Sequence, residues 1–391
     1  MSESVKEFFS KEGIKKFKSG VKAFSSRQAV KVAAASMVLA SAFAVSNQVS
    51  ATVKNFDKTV TAYAITEKGD TLCSYQALKK DSVSFARLQK LVNNATDSKT
   101  GCSVLEKISE QGTVLYTDYA GKDVIGFFDP NTNSICLNSV FKDADLQSCL
   151  IHEGKHSVQS HALNEKTDLF HTFASNIMTT RVMEADAMAT QTKFSYEMAQ
   201  AGDSLAWKQL VDTHAGITKA FEEGAKKHGQ NSNEAMKETM LAWYKDTDYV
   251  TQYDNSILQF HAKVVLGASE DLMKQAFTQT VSADSLLKYV CTVDGKPYAG
   301  TDESILKTSS TAYLAENLCK SAEMVGKAAS VRGNQDTSVN GFYVLKFDGS
   351  VSDKTYGQIK AEKDKQNSQK VMQEQSEKSF KIASTLSRTG R

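Results

Sequence analysis

Proline is almost absent from this chain, and its scarcity constrains the possible folds more than any other feature. Only Pro130 and Pro297 occur in 391 residues. Because proline removes a helical hydrogen bond and clashes with the preceding turn, a chain without it can form long uninterrupted helices. Residues 141–290 show an almost continuous helical pattern. The predicted helical runs in this region include residues 204–227, 233–245 and 254–266.

Residues 52–140 mix strand and helix patterns ahead of the helical region. Strands are predicted at residues 59–65 and 113–119, where β-branched and aromatic residues recur. Two further β-prone runs flank residues 129–133, and this arrangement predicts a hairpin. Its edge strand could bind an extended peptide, and a purely structural hairpin is the alternative. The sequence therefore predicts an α+β fold that is mainly helical and has a small sheet.

Residues 151–156 carry two histidines that are one helical turn apart. His152 and His156 are at positions i and i+4 of a helix predicted over residues 143–163, so both imidazoles leave the same face. Such a pair can share one zinc ion. A helix with two histidines by coincidence is the alternative, although the chain has only seven histidines. Gly154 destabilises this helix unless substrate or a neighbouring helix needs to approach closely.

The motif also contains a candidate base, and it calls for a third ligand. Glu153 follows the first histidine, where a carboxylate can take a proton from a water activated by the metal. Zinc in catalytic sites has three protein ligands and one water. The candidates for the third ligand are His161, Glu165, Asp168, His171, Glu184 and Asp186.

Glu184 is the favoured third ligand. It lies in a second helical run, predicted over residues 176–201, which could pack antiparallel to the motif helix. Ala185, Ala187 and Ala189 would let the two helices approach closely. A surface glutamate is the alternative.

The hairpin, the His-Glu-x-x-His motif and the segment around Glu184 resemble the gluzincin class of zinc metallopeptidases. More narrowly, they resemble uncharacterised bacterial metallopeptidases with a small catalytic core. The resemblance covers residues 124–200, about a fifth of the chain. It implies a zincin-like core, with the hairpin packed beside the motif helix. It also implies zinc bound by His152, His156 and Glu184, with Glu153 as general base.

The predicted surroundings of the ligands depart from this class. Many gluzincins place an aspartate four residues after the ligand glutamate, where it orients a ligand histidine. Met188 occupies that position here, and Asp186 is expected to face elsewhere. Such orienting residues influence metal affinity.

A later aromatic cluster could supply a donor that stabilises the oxyanion of peptide hydrolysis. The candidates are Tyr244, Tyr249, Tyr253 and His214. Aromatic residues at helical spacing are more often part of the core, so the sequence selects none of the four.

The amino terminus has the pattern of a secretory signal peptide. Residues 1–31 carry eight Lys and Arg against three Glu, and an apolar stretch follows at residues 33–45. Cleavage is expected after Ala51, which predicts a periplasmic or secreted bacterial protein. An uncleaved membrane anchor and a cytosolic amphipathic helix are the alternatives. The rest of the chain has 39 Lys and Arg against 42 Asp and Glu, a net charge of −3, which argues against a nucleic-acid surface.

All six cysteines follow this leader, and an even number of cysteines in an exported chain predicts disulfides. Nearest-neighbour pairing would join Cys136 to Cys149 and so connect the hairpin to the motif helix. Ligation of the metal by Cys149 is the alternative.

These predictions define five segments. They are the leader (1–51), a mixed strand and helix region (52–140), a helical metallopeptidase core (141–300), an extension (301–349) and a polar tail (350–391) that is disordered or a solvated helix. The predicted function is hydrolysis of peptide or protein substrates by a zinc-activated water, with Glu153 as base. The alternatives are an exported helical binding or scaffold module whose zinc site is structural or inactive, and an effector delivered into another cell.

Overall fold

An α/β layer precedes a larger helical region in the computed structural model, which describes residues 59–163 and 169–389. The structure is 60% helical and has small sheets, so the predicted α+β, mainly helical class is confirmed. The predicted leader and its cleavage point lie outside the described residues. The division into five segments stays a prediction.

The elements fall into three successive groups. The first comprises β1 (Thr59–Ile65), β2 (Thr71–Leu78), α1 (Ser82–Ala95), α2 (Lys99–Glu110), β3 (Val114–Asp118), β4 (Gly126–Asp129) and β5 (Ser134–Asn138). The second comprises α3 (Asp143–Leu163), α4 (Phe173–Gln200), α5 (Leu205–Thr213), α6 (Ala215–His228), α7 (Asn233–Trp243), α8 (Thr247–Gly267), α9 (Glu270–Gln275), α10 (Ala283–Tyr289), β6 (Thr292–Val293) and β7 (Lys296–Pro297). The third comprises β8 (Tyr313–Ala315), α11 (Glu316–Val331), β9 (Tyr343–Leu345), β10 (Val351–Thr355) and α12 (Tyr356–Thr389), with short 3-10 turns at Glu303–Leu306 and Ser338–Gly341.

The first group forms a five-stranded sheet in the order β1-β2-β3-β5-β4. Strands β2, β3 and β5 are parallel, whereas β1 and β4 pair antiparallel with their neighbours. The predicted hairpin is therefore confirmed as β4–β5. The Asp129 side chain accepts a hydrogen bond from the Asn131 amide in its turn, and Asn133 adopts a left-handed φ of 48°. Because β4 is last in the strand order, it forms one edge of the sheet.

Helix α3 packs its apolar side on this sheet and meets α2 on another side. Leu146, Leu150 and Ile151 are buried in a core that also contains residues of β5. Gly154 lies where α2 comes closest, because a Cβ added there would be 2.6 Å from a methyl carbon of Val104. The glycine inside the motif thus allows the close approach of a neighbouring helix, which was one of the two predicted reasons for it.

Helix α4 runs through the centre of the protein. Thr172 caps its amino terminus by accepting a hydrogen bond from the Ser175 amide. Most of its 28 residues are buried, polar ones included, which is typical of a helix surrounded by protein. None of the helices in residues 59–163 and 169–389 is long and apolar enough to span a membrane.

A buried ion pair connects α4 to α8 and to the third group. Arg181 donates from Nε to Asp254 Oδ1 at 2.9 Å and from Nη2 to Oδ2 at 2.6 Å. Its remaining donors reach the carbonyl oxygens of Thr311 and Tyr313. Because every charge in this group has a partner, its burial is compatible with a stable fold.

Most of the predicted polar tail forms the long helix α12. The side chains of residues 361–379 are all exposed. Where the helix begins, the Tyr356 hydroxyl and the Lys360 ammonium both bond to the Glu323 carboxylate on α11.

The predicted disulfides are wrong, because all six cysteines are free thiols in the structure. Cys136 and Cys149 cannot pair because they lie on opposite faces of the sheet. Cys149 packs with Ile135 and Leu137, whereas Cys136, which alternates with them along β5, packs with Tyr116 on the other face. Burial raises the pKa of both thiols.

Candidate metal centre

The two motif histidines lie side by side on α3 with their ring nitrogens facing each other. The Nε2 atoms of His152 and His156 are 3.1 Å apart. Their ring centroids are 4.8 Å apart, and the ring planes are nearly perpendicular. Both side chains are buried. The i, i+4 spacing thus produces the convergence that the sequence predicted.

Helix α4 brings Glu184 to the same point. Its Oε2 is 3.4 Å from His152 Nε2, and its Oε1 is 3.5 Å from His156 Nε2. One potential ligand atom from each of the three residues lies within 4.8 Å of the others. The structure therefore brings together the three residues predicted as metal ligands.

The other candidates for the third ligand lie elsewhere, or their positions are not described. His161 directs its Nδ1 at the Ser157 carbonyl oxygen of its own helix, 2.9 Å away. His171 is buried in a short bridge to Gln279. Glu165 and Asp168 lie outside the described residues. Asp186 belongs to the surroundings of His156.

The chemistry of this group fits a metal cation. Neither carboxylate oxygen of Glu184 accepts a well-formed hydrogen bond from the described residues, although the side chain is completely buried. A buried charge without such partners is unfavourable, and a divalent cation shared by Glu184, His152 and His156 would compensate it.

The pKa values of His156 and Glu184 also indicate that a positive charge is favoured beside the Glu184 carboxylate. Burial opposes protonation of His156, but the Glu184 carboxylate outweighs it and raises the pKa of His156 to about 9. Burial also opposes ionisation of Glu184, but the two imidazoles outweigh it and lower the pKa of Glu184 to about 2. Both shifts follow from the close approach of a carboxylate and two ring nitrogens in a buried site.

Two glutamines orient the imidazoles, and sequence analysis missed both. His152 Nδ1 lies 2.8 Å from Gln191 Oε1, and His156 Nδ1 lies 2.8 Å from Gln159 Oε1. In the tautomer in which each Nδ1 donates to the amide oxygen beside it, each Nε2 keeps its lone pair for a metal. Gln159 is three residues after His156 and Gln191 is seven after Glu184, so each shares a helix face with a predicted ligand, but that spacing alone does not mark a glutamine as the partner of an imidazole.

The expectation that Asp186 faces away from the site needs correction. Its Oδ2 accepts a hydrogen bond from Gln159 Nε2 at 2.7 Å. Gln159 therefore connects Asp186 to His156. The same carboxylate accepts a bond from the Tyr298 hydroxyl at 2.8 Å and pairs with the Lys155 ammonium at 3.2 Å. Asp186 thus fixes the orientation of the glutamine that orients a predicted ligand.

We predict that Gln159→Leu weakens zinc binding about 10- to 100-fold, as replacement of residues that orient metal ligands typically does. Leucine keeps the side-chain bulk but offers no acceptor to His156 Nδ1. Zinc affinity would be measured by competition with a chromophoric chelator. Gln147→Leu is the control, because Gln147 is buried on the same helix and its amide nitrogen bonds to nothing described. Equal zinc affinity of Gln159→Leu and wild type would contradict the orienting role.

Glu153 is buried beside the edge strand rather than within the ligand group. Its Oε2 accepts a hydrogen bond from the Phe128 amide of β4 at 3.0 Å, and its Oε1 is 4.0 Å from Cys149 Sγ. Gly126 makes this contact between α3 and β4 possible, since a Cβ there would be 2.6 Å from that sulfur. The edge strand therefore lies beside the motif helix, as the hairpin and motif predicted.

Two of the four candidate oxyanion donors, Tyr249 and Tyr253, lie near Glu184, and a third, His214, packs against Tyr249. The hydroxyls of Tyr249 and Tyr253 are 3.1 Å apart. The pKa of each is raised by burial and further by the Glu184 charge. The ring of His214 packs 5.0 Å from that of Tyr249. Tyr244 instead lies beside Arg181, and its carbonyl oxygen accepts the Tyr313 hydroxyl.

Comparison with known proteins places this site within a family. The model of DUF6782, described as a putative metallopeptidase family, matches residues 64–299, a range that contains β2 to β7 and every residue of the centre. No curated protein and no solved structure matches the chain.

Proposed function

The chain belongs to this putative metallopeptidase family, and from that membership we propose that it is a zinc-dependent peptidase of the gluzincin type. One observation carries the proposal. The buried carboxylate of Glu184 faces the Nε2 atoms of His152 and His156 and accepts no well-formed hydrogen bond from the described residues. A divalent cation shared by the three side chains would satisfy the charge of this carboxylate.

Zinc fits this donor set better than calcium or magnesium does. Two imidazoles and one carboxylate are a known ligand set of catalytic zinc, which leaves the fourth position for water or substrate. Calcium and magnesium prefer oxygen ligands, and this group offers two nitrogens. When bound, zinc would lower the pKa of a water and polarise the scissile carbonyl.

Glu153 would supply the general base. Its carboxylate leaves α3 one residue after His152 and its charge acts on His156, but it is not one of the residues that converge on the metal position. In the proposed reaction, Glu153 takes a proton from the attacking water and passes it to the leaving amine nitrogen. The hydrogen bond from the Phe128 amide fixes the orientation of this carboxylate.

The proposed substrates are peptides or unfolded proteins in extended form. Strand β4 is at the sheet edge, and an extended segment could add to it through main-chain hydrogen bonds. Tyr249, Tyr253 and His214 are the residues from which an oxyanion donor would come.

The leader at residues 1–51 also predicts export, but the six free thiols no longer support it. Amino-terminal sequencing of the mature protein would test that prediction.

We predict that a zinc chelator such as 1,10-phenanthroline abolishes peptide hydrolysis and that added zinc restores it. Products from a peptide library would be measured by mass spectrometry, with metal content measured on the same samples. The non-chelating isomer 1,7-phenanthroline is the control and should leave the rate unchanged. Full activity in protein shown to contain no metal would contradict the proposed function.

A binding or scaffold module with a structural zinc is the second candidate, and the complete burial of His156, Glu153 and Glu184 favours it. Structural zinc sites, however, usually have four protein ligands, and this group has three among the described residues. The two candidates differ in their dependence on Glu153, because a structural site has no use for a base.

A further inference from the structure

A lysine-rich cavity lies on a different side of α3 from the candidate metal centre. Its volume is about 280 Å³, and it is bounded by α2, α3, α4 and residues 288–295. From α3, Lys155, Val158 and Ala162 line it, and their spacing places them on one helix face. Five lysines and one aspartate are among the described residues of its wall: Lys99, Lys107, Lys155, Lys193, Lys288 and Asp294. The cavity is therefore a distinct site with an excess of positive groups.

Lys193 is a buried cation of this cavity, and no hydrogen bond from its ammonium is found among the described residues. It is only 4% exposed, and within the described part of the chain its ammonium forms one ion pair, with Glu197 at 3.8 Å. That distance is too long for a hydrogen bond. The oxygens of Glu197 already accept the Ser98 hydroxyl and both the amide and the hydroxyl of Thr100. Burial accordingly lowers the pKa of Lys193, and an anion in the cavity would supply the missing partner.

The other lysines differ in how far their charges are already compensated. Lys155, also buried, donates to the Thr292 carbonyl oxygen at 2.9 Å and pairs with Asp186. At the exposed mouth, Lys99 lies 3.6 Å from Asp294, and Lys107 pairs with Glu110. Lys288 is exposed and lies over the ring of Tyr289. A bound anion would therefore interact most strongly with Lys193 and less strongly with Lys288, because the other three lysines already pair with carboxylates.

The cavity wall also has an apolar part. Val104, Val158, Met236 and Val293 contribute to it. The volume is close to the lower limit of small-molecule sites. A ligand that matches this wall has one anionic group for Lys193 and a short apolar body for the valines and the methionine.

We propose that this cavity binds a small oxyanion-bearing ligand, a carboxylate or a phosphate on a short apolar body, with Lys193 as its anchoring cation. The cavity contains none of the proposed metal ligands, so the proposal does not depend on peptidase activity. Inorganic phosphate and hexanoate are the probes that distinguish the two anionic groups. Chloride at the same ionic strength controls for charge screening.

The test follows the methyl resonance of Met236 in protein labelled with ¹³C-methyl methionine. We expect one or both probes to shift this resonance saturably, and chloride to leave it unchanged. Saturation by hexanoate alone indicates a carboxylate ligand, and saturation by phosphate alone indicates a phosphate ligand. The absence of a saturable shift with either probe would overturn the proposal.

Variants assign the binding to Lys193. Lys193→Met should weaken probe binding about 10- to 100-fold, because it removes a charged hydrogen-bond donor. Lys219→Met is the matched control, since Lys219 also lies 3.8 Å from a glutamate at i+4 but is exposed. If Lys193→Met does not fold, Lys288→Met provides a second variant, which should weaken binding to a smaller extent. Unchanged affinity in every folded cavity variant would overturn the role of the lysines.

Discussion

Replacing Glu184 with alanine is expected to remove the metal from the purified protein and to abolish hydrolysis with it. Wild-type protein should contain about one zinc ion per chain, and Glu184→Ala should contain almost none, because a site with only two imidazoles lacks the third protein ligand that zinc sites have. Glu184 is completely buried on α4, so an exposed carboxylate at the protein surface cannot take its place as a metal ligand in the variant. Metal content would be measured by mass spectrometry after dialysis against metal-free buffer.

Glu197→Ala is the control for this variant. Glu197 lies on the same helix and is largely buried, but it bonds to Ser98 and Thr100 instead of the histidines. It should therefore keep its zinc even if its stability falls. A Glu184→Ala protein that retains a full complement of zinc would show that the metal, if present, is bound elsewhere.

The three predicted metal ligands could be identified from the sequence because few arrangements of helices bring two histidines and a third ligand to one point. A four-residue spacing on a helix places His152 and His156 on one face whatever the rest of the chain does. A buried third ligand then has to come from a packed neighbouring element, and the alanines around Glu184 indicated which helix could approach closely. The same local rules predicted β1, β3 and the β4–β5 hairpin.

The residues that orient the ligands could not be predicted in the same way. A glutamine in a helix has no distinctive signature, and Gln159 and Gln191 became recognisable only after α3 and α4 were packed together. Asp186 lies two residues after Glu184, so it leaves α4 in a different direction from the Glu184 carboxylate. It still reaches the site because Gln159 on α3 spans the gap. That contact depends on how the two helices cross, which a helical pattern alone does not specify.

The disulfide prediction failed because it relied on proximity in sequence and on the predicted leader. The alternation of side chains along β5 already argued against a bond between Cys136 and Cys149. Ile135 and Leu137 are apolar residues of a short strand, so a cysteine between them has to point to the other face of the sheet. Cys149 belongs to the helix that covers the first face. A check of facing direction would have excluded the pairing.

Glu153→Gln is expected to reduce the rate of peptide hydrolysis about 10²- to 10⁴-fold, the usual contribution of a general base. The fold and the metal should be unaffected. Glutamine has nearly the same shape, and its amide oxygen can still accept the hydrogen bond from the Phe128 amide. Because Glu153 is not among the residues that converge on the metal position, zinc content should remain at the wild-type value.

Glu197→Gln is the control for this substitution. Like Glu153, Glu197 is a largely buried carboxylate that accepts a backbone amide from another element, here that of Thr100 at 2.8 Å. Glu197→Gln should leave kcat/KM close to the wild-type value. A comparable loss in both variants would mean that the effect arises from altered packing instead of a missing base.

The central claim is that this centre hydrolyses peptides, and it is tested most directly by kcat/KM of wild type and Glu153→Gln at equal, measured zinc content. The substrate would be the best-cleaved member of a peptide library. We predict a fall of at least about 100-fold in Glu153→Gln, with one zinc per chain and the same thermal unfolding temperature in both proteins. Equal kcat/KM of the two proteins would contradict the claim and leave the centre as a structural metal site.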